Sequence, residues 1–447
     1  MFAECRLRVW FTKREEKEDV QMQATTSSFG RLWKAPQEIE LADRLPLGNG
    51  KFLPRGLGRS YGDVCLNPGG TLLMSAGLNN LIHFDDQNGI LTVEAGVTLG
   101  EIQRVFAPKG WMLSVTPGTQ FVSIGGAIAN DVHGKNHHSK GTFGDNTIWL
   151  ELIRSDGQTF SCSKTENSEL FFATIGGLGL TGLITRAQIQ LQKVSGAYLD
   201  TQNIVFRDTS EFLALSDESE ADWQYSVSWV DCTSKNGRGL FMRGNNSQDP
   251  GVPEYQVAKI AVPFVPPFSL INKVSVRAFN ELYFSMGKLG AGESKTHYLP
   301  YFYPLDSVKN WNWAYGPKGF YQYQMVIPRE GGEANLNAVL RAIQESGQGS
   351  FLAVLKTFGE TKGPGLLSFS RPGITLALDF VNLGAKTEQL FQALDRIVIE
   401  AGGALNPSKD ARMSQQMFEA GFLGLTEFQK YRDPSFSSAM SKRLMGW

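Results

Sequence analysis

The sequence predicts an α+β protein built from two domains, and three observations lead to this fold class. At 447 residues, with 42% hydrophobic and 19% charged residues, the chain has enough apolar material for two packed cores. Residues 26–194 are rich in glycine and in short strand-like runs, whereas residues 195–404 combine strands with periodic helices. The second pattern favours an antiparallel sheet with helices packed on one face.

Charge and cysteine content exclude several functional classes. The 43 Lys and Arg residues balance 44 Asp and Glu residues without a long basic run, so a nucleic-acid partner is not expected. The four cysteines are scattered singly, which fits neither a zinc site nor a disulfide scaffold and favours a reducing compartment. No stretch reaches the ~18 to 20 apolar residues of a membrane-spanning helix. Charges break up residues 1–25, which predicts a disordered extension rather than a secretion signal.

In the first domain, turn signals and periodic runs predict strands, hairpins and helices in turn. Ile90–Ala95 alternates as a strand after the turn dipeptide Asn88-Gly89, and Leu183–Leu191 has one polar and one mostly apolar face. Leu99–Phe106 predicts a helix, and a second helix begins with Ser168 as its N-cap.

In the second domain, apolar residues recur at helical spacing between strand-like runs. Pro250–Pro267 contains too many prolines for either element and predicts a long loop or lid. The predicted elements are strand Tyr321–Pro328, helix Leu336–Ile343 ending at Gly347, strands Phe351–Phe358 and Ile374–Val381, and helix Leu390–Val398 before Gly402.

The first candidate functional segment is Pro54–Asp63, whose glycines alternate with other residues. Glycine lets backbone N–H groups turn towards a phosphate, although a tight surface turn has the same signature. A third glycine-rich segment, Thr174–Ile184, precedes a strand and on its own also fits a helix-to-strand corner. Neither segment decides the function alone.

The second candidate segment runs from Pro117 to Asp145 and includes His133, His137 and His138. These histidines lack cysteine or carboxylate companions at ligand spacing, so a metal site is not expected. Small residues on both sides of His133 allow a flat ring to approach the backbone, and polar side chains nearby can bind its edge. These features suit a large planar cofactor.

Together the three segments resemble the FAD-binding half of vanillyl-alcohol-oxidase-type flavoproteins, a two-lobed PCMH-type domain. Within that superfamily the chain resembles the decaprenylphosphoryl-β-D-ribose 2-oxidase family over nearly everything after residue 26. The motifs that carry this resemblance are Arg55–Asp63, Asp131–His138, Ala314–Phe320, Tyr321–Gln324 and Ser408–Arg412.

The resemblance implies how FAD is held. Covalent relatives attach the flavin through a histidine in the first glycine loop, but Arg59 stands at that position, so non-covalent FAD is expected. The residues implied to contact FAD are Pro54, Arg55, Gly56, Leu57, Gly58, Arg59, Ser60, Tyr61, Gly62, Asp63, Gly118, Ser123, Ile124, Gly125, Gly126, Asn130, Asp131, Val132, His133 and Ile184.

The resemblance also implies the catalytic and substrate residues. Lys409 is expected to stabilise negative charge near the flavin N1 and C2 carbonyl, and Lys356 to pair with a phosphate. The implied catalytic set is Lys409, Tyr61, His133 and Gln324, and the implied substrate set is Trp229, Tyr315, Gln322, Gln324 and Lys356. Residues 405–447 are expected to return to the flavin site.

Two positions depart from the family pattern. Ala377 replaces a cysteine, so inhibitors that capture that thiol are not expected to attach. Asn406 replaces a tyrosine, which removes one expected flavin contact.

The implied reaction is oxidation of the C2 hydroxyl of a polyprenyl-phosphate-linked pentose, such as decaprenylphosphoryl-β-D-ribose, by hydride transfer to flavin N5. An NAD(P)H-dependent short-chain reductase is the expected partner, completing an epimerisation. One alternative is an aldonolactone or alditol oxidase acting on a soluble sugar. The other is a catalytically idle flavoprotein partner in a glycolipid pathway. The expected location is the cytoplasm, with peripheral contact to the inner membrane left open, as is the choice between lid and membrane contact for residues 250–270.

Overall fold

The computed structural model describes residues 22–42, 50–249, 251 and 260–447. The disordered extension predicted for residues 1–25 falls mostly on residues 1–21, which lie outside this described part. Its end is corrected, because Met22–Ser27 form a strand and the first domain therefore begins at Met22 rather than at residue 26.

The first lobe of the first domain is a small mixed sheet. Its strands pair in the order β1-β2-β4-β3, with β2 and β3 both parallel to β4 and with β1 antiparallel to β2. These strands are β1 Met22–Ser27, β2 Lys34–Leu41, β3 Phe52–Arg55 and β4 Thr71–Met74.

The second lobe is an antiparallel sheet in the order β5-β6-β10-β8-β9, with β7 also paired to β10. Thr98 and Glu101 form a capping box that fixes the start of α1, as predicted. The predicted cap Ser168 is wrong, because Asn167 is the N-cap residue of α4. The elements are β5 Leu81–Asp85, β6 Ile90–Glu94, α1 Leu99–Phe106, β7 Trp111–Leu113, α2 Ile124–Ala129, α3 His137–Lys140, β8 Thr147–Ile153, β9 Thr159–Ser163, α4 Ser168–Thr174 and β10 Leu183–Lys193.

The second domain is dominated by an antiparallel sheet whose described strands follow the order β15-β11-β13-β12-β18-β19-β17-β20. The strands are β11 Tyr198–Phe206, β12 Tyr225–Val230, β13 Gly239–Asn246, β14 Ile260–Ala261, β15 Gly292–His297, β16 Val308–Lys309, β17 Phe320–Ile327, β18 Ala353–Phe358, β19 Gly373–Val381 and β20 Ala404–Leu405. The helices are α5 Thr209–Ser219, α6 Lys273–Leu289, α7 Tyr298–Phe302, α8 Gly332–Ser346 and α9 Ala385–Glu400, and the short 3-10 helices of the chain are Asp63–Cys65, Ser75–Gly77, Ala107–Lys109, Pro304–Ser307 and Trp311–Tyr315.

The predicted strands and helices of residues 321–398 are confirmed as β17, α8, β18, β19 and α9. The loop predicted for residues 250–267 partly lies outside the described residues. Its described end contains β14, which pairs in parallel with β16. The prediction of an unbroken irregular loop is therefore corrected at this end.

The two faces of the large sheet carry different helices. Phe241 lies in the apolar core with Phe212 of α5, and α8 and α9 pack on this same core. Leu240, the neighbouring residue of β13, points to the other face and contacts Gly287 of α6. Helices α5, α8 and α9 thus cover one face, as predicted, while α6 lies on the opposite face.

The C-terminal segment crosses back to the first domain through α10 Gln415–Gly421, α11 Leu425–Phe428 and α12 Ala439–Met445. The Phe52 N–H donates to the Ser435 carbonyl at 2.8 Å, and the Ser437 N–H donates to the Phe52 carbonyl at 2.9 Å. Arg443 of α12 bridges the buried carboxylates of Asp63 at 2.9 Å and Asp410 at 3.0 Å. One guanidinium therefore joins the first glycine loop to the C-terminal turn.

Replacing Arg443 with methionine leaves two buried carboxylates without their cation. We expect Arg443→Met to lower the free energy of unfolding by about 3 kcal/mol, measured by urea denaturation. Lys430→Met is the control, since the Lys430–Glu427 pair is largely exposed and such pairs contribute less than about 1 kcal/mol. Equal losses in the two variants would contradict a structural role for the Arg443 bridge.

Candidate active site

One face of the large sheet carries the polar side chains of the second domain. Gln324 pairs with Ala377 and Gln322 with Asp379 between β17 and β19, while Lys356 of β18 pairs with Thr375 of β19. Directly paired residues point to the same face. We call this surface the polar face, and its residues are Trp229, Gln322, Gln324, Lys356, Thr375, Ala377 and Asp379.

His133 of the first domain contacts the polar face from above. Its Nε2 lies 2.9 Å from Gln324 Nε2 and its Nδ1 lies 3.1 Å from Lys356 Nζ, which also donates to the Gly134 carbonyl at 2.8 Å. The imidazole packs edge-on against Phe358, with ring centroids 4.9 Å apart. The two domains therefore meet at hydrogen-bonded polar groups.

The three clustered histidines do not act together. His137 is buried and packs on Phe358, with ring centroids 4.4 Å apart, and burial lowers its pKa to about 3. His138 Nε2 lies 2.7 Å from the Trp223 carbonyl. Neither ring nitrogen of His137 has a hydrogen-bond partner among the described residues, whereas His133 and His138 contact different groups.

The turn after β20 holds Gln324 from the other side. Asn406 Nδ2 donates to Gln324 Oε1 at 2.9 Å, and Asn406 Oδ1 accepts from the Ser408 N–H at 3.1 Å. Gln324 Nε2 also donates to Thr375 Oγ1 at 3.3 Å. Asn406 therefore orients the glutamine that contacts His133, although the sequence had suggested only the loss of a flavin contact there.

Lys409, on the same turn, lies over the ring of Tyr61, with Nζ 4.4 Å from the centroid. Burial lowers the pKa of Lys409 to about 8, against the opposing charge of Asp379. Asp379 accepts from Gln322 Nε2 at 2.7 Å, and burial raises its pKa to about 7. The turn thus places a cation between the first glycine loop and a buried carboxyl group.

Lysines from three elements make the site electropositive. Burial, with Lys135 and Lys409 nearby, lowers the pKa of Lys356 to about 7, and burial lowers the pKa of Lys135 to about 7. The pKa of His133 is depressed by burial and by the neighbouring Lys356. Close cations in a dry site favour loss of a proton or binding of an anion.

The glycine segments come into close contact with one another and with the C-terminal turn. A Cβ on Gly56 would lie 2.3 Å from Ser123 Oγ, and one on Gly62 would lie 1.5 Å from the Asp410 carbonyl oxygen. Side chains at these positions would push the three segments apart. The glycines are therefore needed for close approach, and the loops they join surround one site.

Buried polar atoms along these loops support a bound cofactor. Arg55 Nη1, Arg59 Nε and Asn130 Oδ1 are buried and have no hydrogen-bond partner among the described residues. Such atoms are costly unless a ligand satisfies them. Gly118 faces open space, with no described atom within 4 Å of a Cβ placed there. The donors, acceptors and small residues fit a large planar dinucleotide such as FAD.

Several predicted cofactor residues have side chains that point elsewhere. The Asp63 carboxylate is held by Arg443, and the Asp131 carboxylate accepts from Ser368 Oγ and the Gly144 N–H. Ile184 lies in the core of the second lobe. These side chains therefore have a structural role, and contact of the three residues with FAD stays a prediction.

Two further predicted substrate residues, Trp229 and Tyr315, have different surroundings. The Trp229 indole N–H donates to the Phe351 carbonyl at 2.9 Å, so it contributes a ring wall rather than a donor. Tyr315 is buried and its hydroxyl has no partner among the described residues, which leaves it available to a ligand. The structure brings Tyr61, Gln322, Gln324, Lys356 and Lys409 together with His133 as the resemblance implied.

The sequence analysis missed two residues of the site, Asp379 and Thr375. Asp379 is the charged residue of an otherwise uncharged strand, Gly373–Val381, and it is only 1% exposed. Burying a lone carboxylate is expensive, so that pattern is a usable signal. Thr375 carries no such signal, because threonine is ordinary in strands.

Comparisons with known proteins agree with this geometry. Residues 40–163 match a family model described as an FAD binding domain. The chain is 37% identical over 418 residues to the decaprenylphosphoryl-β-D-ribose oxidase of Mycolicibacterium smegmatis, covering 89% of this chain and 90% of that protein. It is 28% identical over 371 residues to an uncharacterised protein in the mprA 5′ region of Streptomyces coelicolor, covering 78% of this chain and all of that protein.

A further relative matches only a short part of the chain. The human Δ(24)-sterol reductase is 30% identical over 114 residues, which is 26% of this chain and 22% of that protein. At 89% of this chain, the likeness to the M. smegmatis oxidase extends into both domains. The chain therefore belongs to the decaprenylphosphoryl-β-D-ribose oxidase family and is an FAD-dependent oxidoreductase.

Proposed function

We propose that this enzyme oxidises the C2 hydroxyl of a pentose carried on polyprenyl phosphate, such as decaprenylphosphoryl-β-D-ribose, to the keto sugar. The 37% identity to the M. smegmatis oxidase over 90% of its length supports this substrate class. Bound FAD would supply the hydride acceptor, flavin N5. The ketone would be the product of the first half of an epimerisation.

The observation that carries the proposal is the lysine cluster. Lys135 and Lys409 lie close enough to Lys356 to lower its pKa, and Asp379 is the carboxylate that faces Lys409. Buried amines gathered in this way suit an anionic phosphoryl group, and an ammonium at Lys409 suits the negative charge of a reduced flavin. A free alditol brings no anion, so the soluble-sugar oxidase is the less supported candidate.

The residues at the site can be given roles. Lys409 would stabilise negative charge on the flavin N1 and C2 carbonyl, with Tyr61 packed beneath it. Gln322, Gln324 and the Tyr315 hydroxyl can bind sugar hydroxyls, since amides and phenols both donate and accept. A complete set of such groups argues against an idle flavoprotein. The NAD(P)H-dependent short-chain reductase remains a predicted partner that would reduce the ketone.

We also propose that the enzyme contacts a membrane surface through α6. Among the described residues no helix is long and apolar enough to cross a bilayer. Helix α6 nevertheless turns an apolar stripe to the outside, with Val274, Leu282, Met286 and Leu289 exposed by 76%, 61%, 62% and 89%. An apolar stripe with basic neighbours is typical of helices that lie in a lipid interface.

The position and charge of α6 support lipid as the occupant of this stripe. Lys273, Arg277 and Lys288 lie on the helix, and anionic headgroups attract such residues. Tyr283 of α6 contacts Trp229 of the polar face, with ring centroids 4.9 Å apart. A lipid-linked substrate could therefore pass from a bilayer to the site over a short distance. The cytoplasm stays the predicted location, and contact of α6 with the inner membrane is part of this proposal.

Non-covalent FAD and a phosphorylated substrate can be tested on the purified protein. We expect acid precipitation to release the yellow flavin into the supernatant, because Arg59 offers no histidine for attachment. Under anaerobic conditions a polyprenylphosphoryl ribose should bleach the flavin, whereas ribitol at the same concentration should not. Colour in the acid pellet would refute non-covalent binding, and faster bleaching by ribitol would favour the alditol oxidase.

Lys409 should govern both the potential and the alkaline pH dependence of the flavin. We expect Lys409→Met to lower the flavin midpoint potential and to slow bleaching about 100-fold, with Lys409→Arg affected less. The ammonium is present below its pKa of about 8, so bleaching by the wild type should decline as the pH rises through about 8. An unchanged potential in Lys409→Met would contradict the assigned role.

The membrane surface is tested by sedimentation with phosphatidylglycerol vesicles. We expect the double variant Leu282→Ser, Met286→Ser to bind vesicles at least about tenfold more weakly, since two apolar side chains lose burial in lipid. Leu423→Ser is the matched control, because Leu423 is 89% exposed but lies outside α6. Equal binding by the double variant and the control would rule out α6 as the contact.

A further inference from the structure

The hydrogen bonds around His133 form a directed chain that starts in the C-terminal turn. The Ser408 backbone N–H can only donate, and it does so to Asn406 Oδ1 at 3.1 Å. The amide of Asn406 cannot be rotated, because its NH2 group would then face another donor. Asn406 Nδ2 must therefore donate to Gln324 Oε1, at 2.9 Å.

The orientation of Gln324 follows from Asn406 and is fixed a second time by Thr375. With Oε1 occupied by Asn406, Gln324 presents its Nε2 to His133. Independently, the Thr375 hydroxyl donates to the Met325 carbonyl at 2.8 Å, so Thr375 Oγ1 must accept from Gln324 Nε2, at 3.3 Å. Gln324 is thus a donor to His133 Nε2 at 2.9 Å.

This direction sets the protonation of the next two groups. Since His133 Nε2 accepts, the neutral imidazole carries its proton on Nδ1. The Nδ1–H points at Lys356 Nζ, 3.1 Å away. An ammonium group has no lone pair to accept this hydrogen bond, whereas a neutral amine does. Lys356 is therefore a neutral amine in this arrangement, and it still donates to the Gly134 carbonyl.

The surroundings favour the same protonation state. The charged and titratable groups that face the pair are Lys135 and His137 from the segment around His133 and Lys409 from the C-terminal turn, with Asp379 of β19 facing Lys409. Positive neighbours predominate around Lys356 itself. Together with burial they lower its pKa to about 7.

We propose that Lys356 is the proton acceptor in the alcohol oxidation and that Asn406 is the positioning residue that keeps its amine uncharged. The inference rests on the proposed function. The substrate hydroxyl would displace the His133 Nδ1–H from the lone pair of Lys356 Nζ, and the displaced Nδ1–H would bond the Gly134 backbone. The substrate O–H bond would then break and its proton would go to the freed lone pair. The hydrogen on the same carbon would leave as hydride, and bound FAD would accept it with its two electrons, so that the alcohol is oxidised and the flavin reduced.

This role differs from the phosphate pairing that the family resemblance implied for Lys356. A phosphate partner must be charged, whereas a proton acceptor must be neutral before the reaction. Lys409 remains as an amine that can face an anion, whereas Lys135 Nζ donates to the Tyr301 carbonyl. The two roles therefore predict different behaviour for the same side chain.

The first experiment measures the tautomer of His133 by 15N NMR on histidine-labelled enzyme with FAD and without substrate. The His133→Gln variant assigns the signal. We expect the proton on Nδ1 in the wild type and on Nε2 in both variants. In Gln324→Glu the new carboxylate accepts directly from His133. In Asn406→Asp the new carboxylate accepts from Gln324 Nε2, so that Gln324 turns its Oε1 to His133 and accepts there. Asn236→Asp, an exposed Asn to Asp change, should leave the tautomer unchanged. A proton on Nε2 in the wild type would overturn the proposal.

The second experiment measures anaerobic bleaching as a function of pH and substrate concentration. We expect Lys356→Ala to lose about 100- to 10,000-fold in bleaching rate, with the substrate dissociation constant within threefold, and added ethylamine to restore part of the rate. In Asn406→Asp the acidic limb of the rate profile, near pH 7 in the wild type, should move to higher pH. Its rate at neutral pH should fall about tenfold.

The outcomes separate this inference from the proposed function. A Lys356→Ala variant that bleaches within tenfold of the wild type but binds substrate more than tenfold more weakly would make Lys356 a phosphate ligand and overturn the base role. If no phosphoryl sugar bleaches the wild type, the proposed function fails. The tautomer measurement still decides whether Asn406 positions His133 and Lys356, because it needs no substrate.

Discussion

The alternation of side chains along β17, β18 and β19 is the constraint on which the rest of the site depends. Each strand sends one residue into the apolar core under α5, α8 and α9 and the next residue to the polar face. Polar groups on such a face must find partners outside the sheet. His133 provides such a partner from the first domain, and Asn406 provides one from the C-terminal turn. The same hydrogen bonds that pair the polar groups of the sheet therefore also assemble the site.

Burial then decides how charge is distributed. In water three lysines and one aspartate would all be ionised, but in a dry interface each charge depends on its neighbours. Asp379 offsets Lys409, while Lys356 has cations on two sides and a hydrogen-bond donor on a third. In the role proposed for Lys356, the same residue type occupies two protonation states within one site. Geometry, rather than side-chain identity, separates their roles.

Local sequence patterns predicted much of the fold, and distant contacts account for the errors. Helices α1, α8 and α9 and strands β17 to β19 follow from apolar periodicity and turn residues. The side chain of Asp63 is held by Arg443 and that of Asp131 by Ser368, and local patterns give no sign of partners so far along the chain. Helix α6 was not predicted. Its apolar stripe has the spacing of a buried face, and the sequence cannot tell which side of a helix is covered.

The return of the C-terminal segment to β3 has a consequence for folding. Phe52 exchanges backbone hydrogen bonds with Ser435 and Ser437, and Gly62 packs against the Asp410 carbonyl, so the first glycine loop is completed by residues far along the chain. Contacts between residues so distant in sequence form at a high cost in loop-closure entropy, which slows folding. The shape of the glycine loop therefore depends on docking of the C-terminal segment and not on local structure alone.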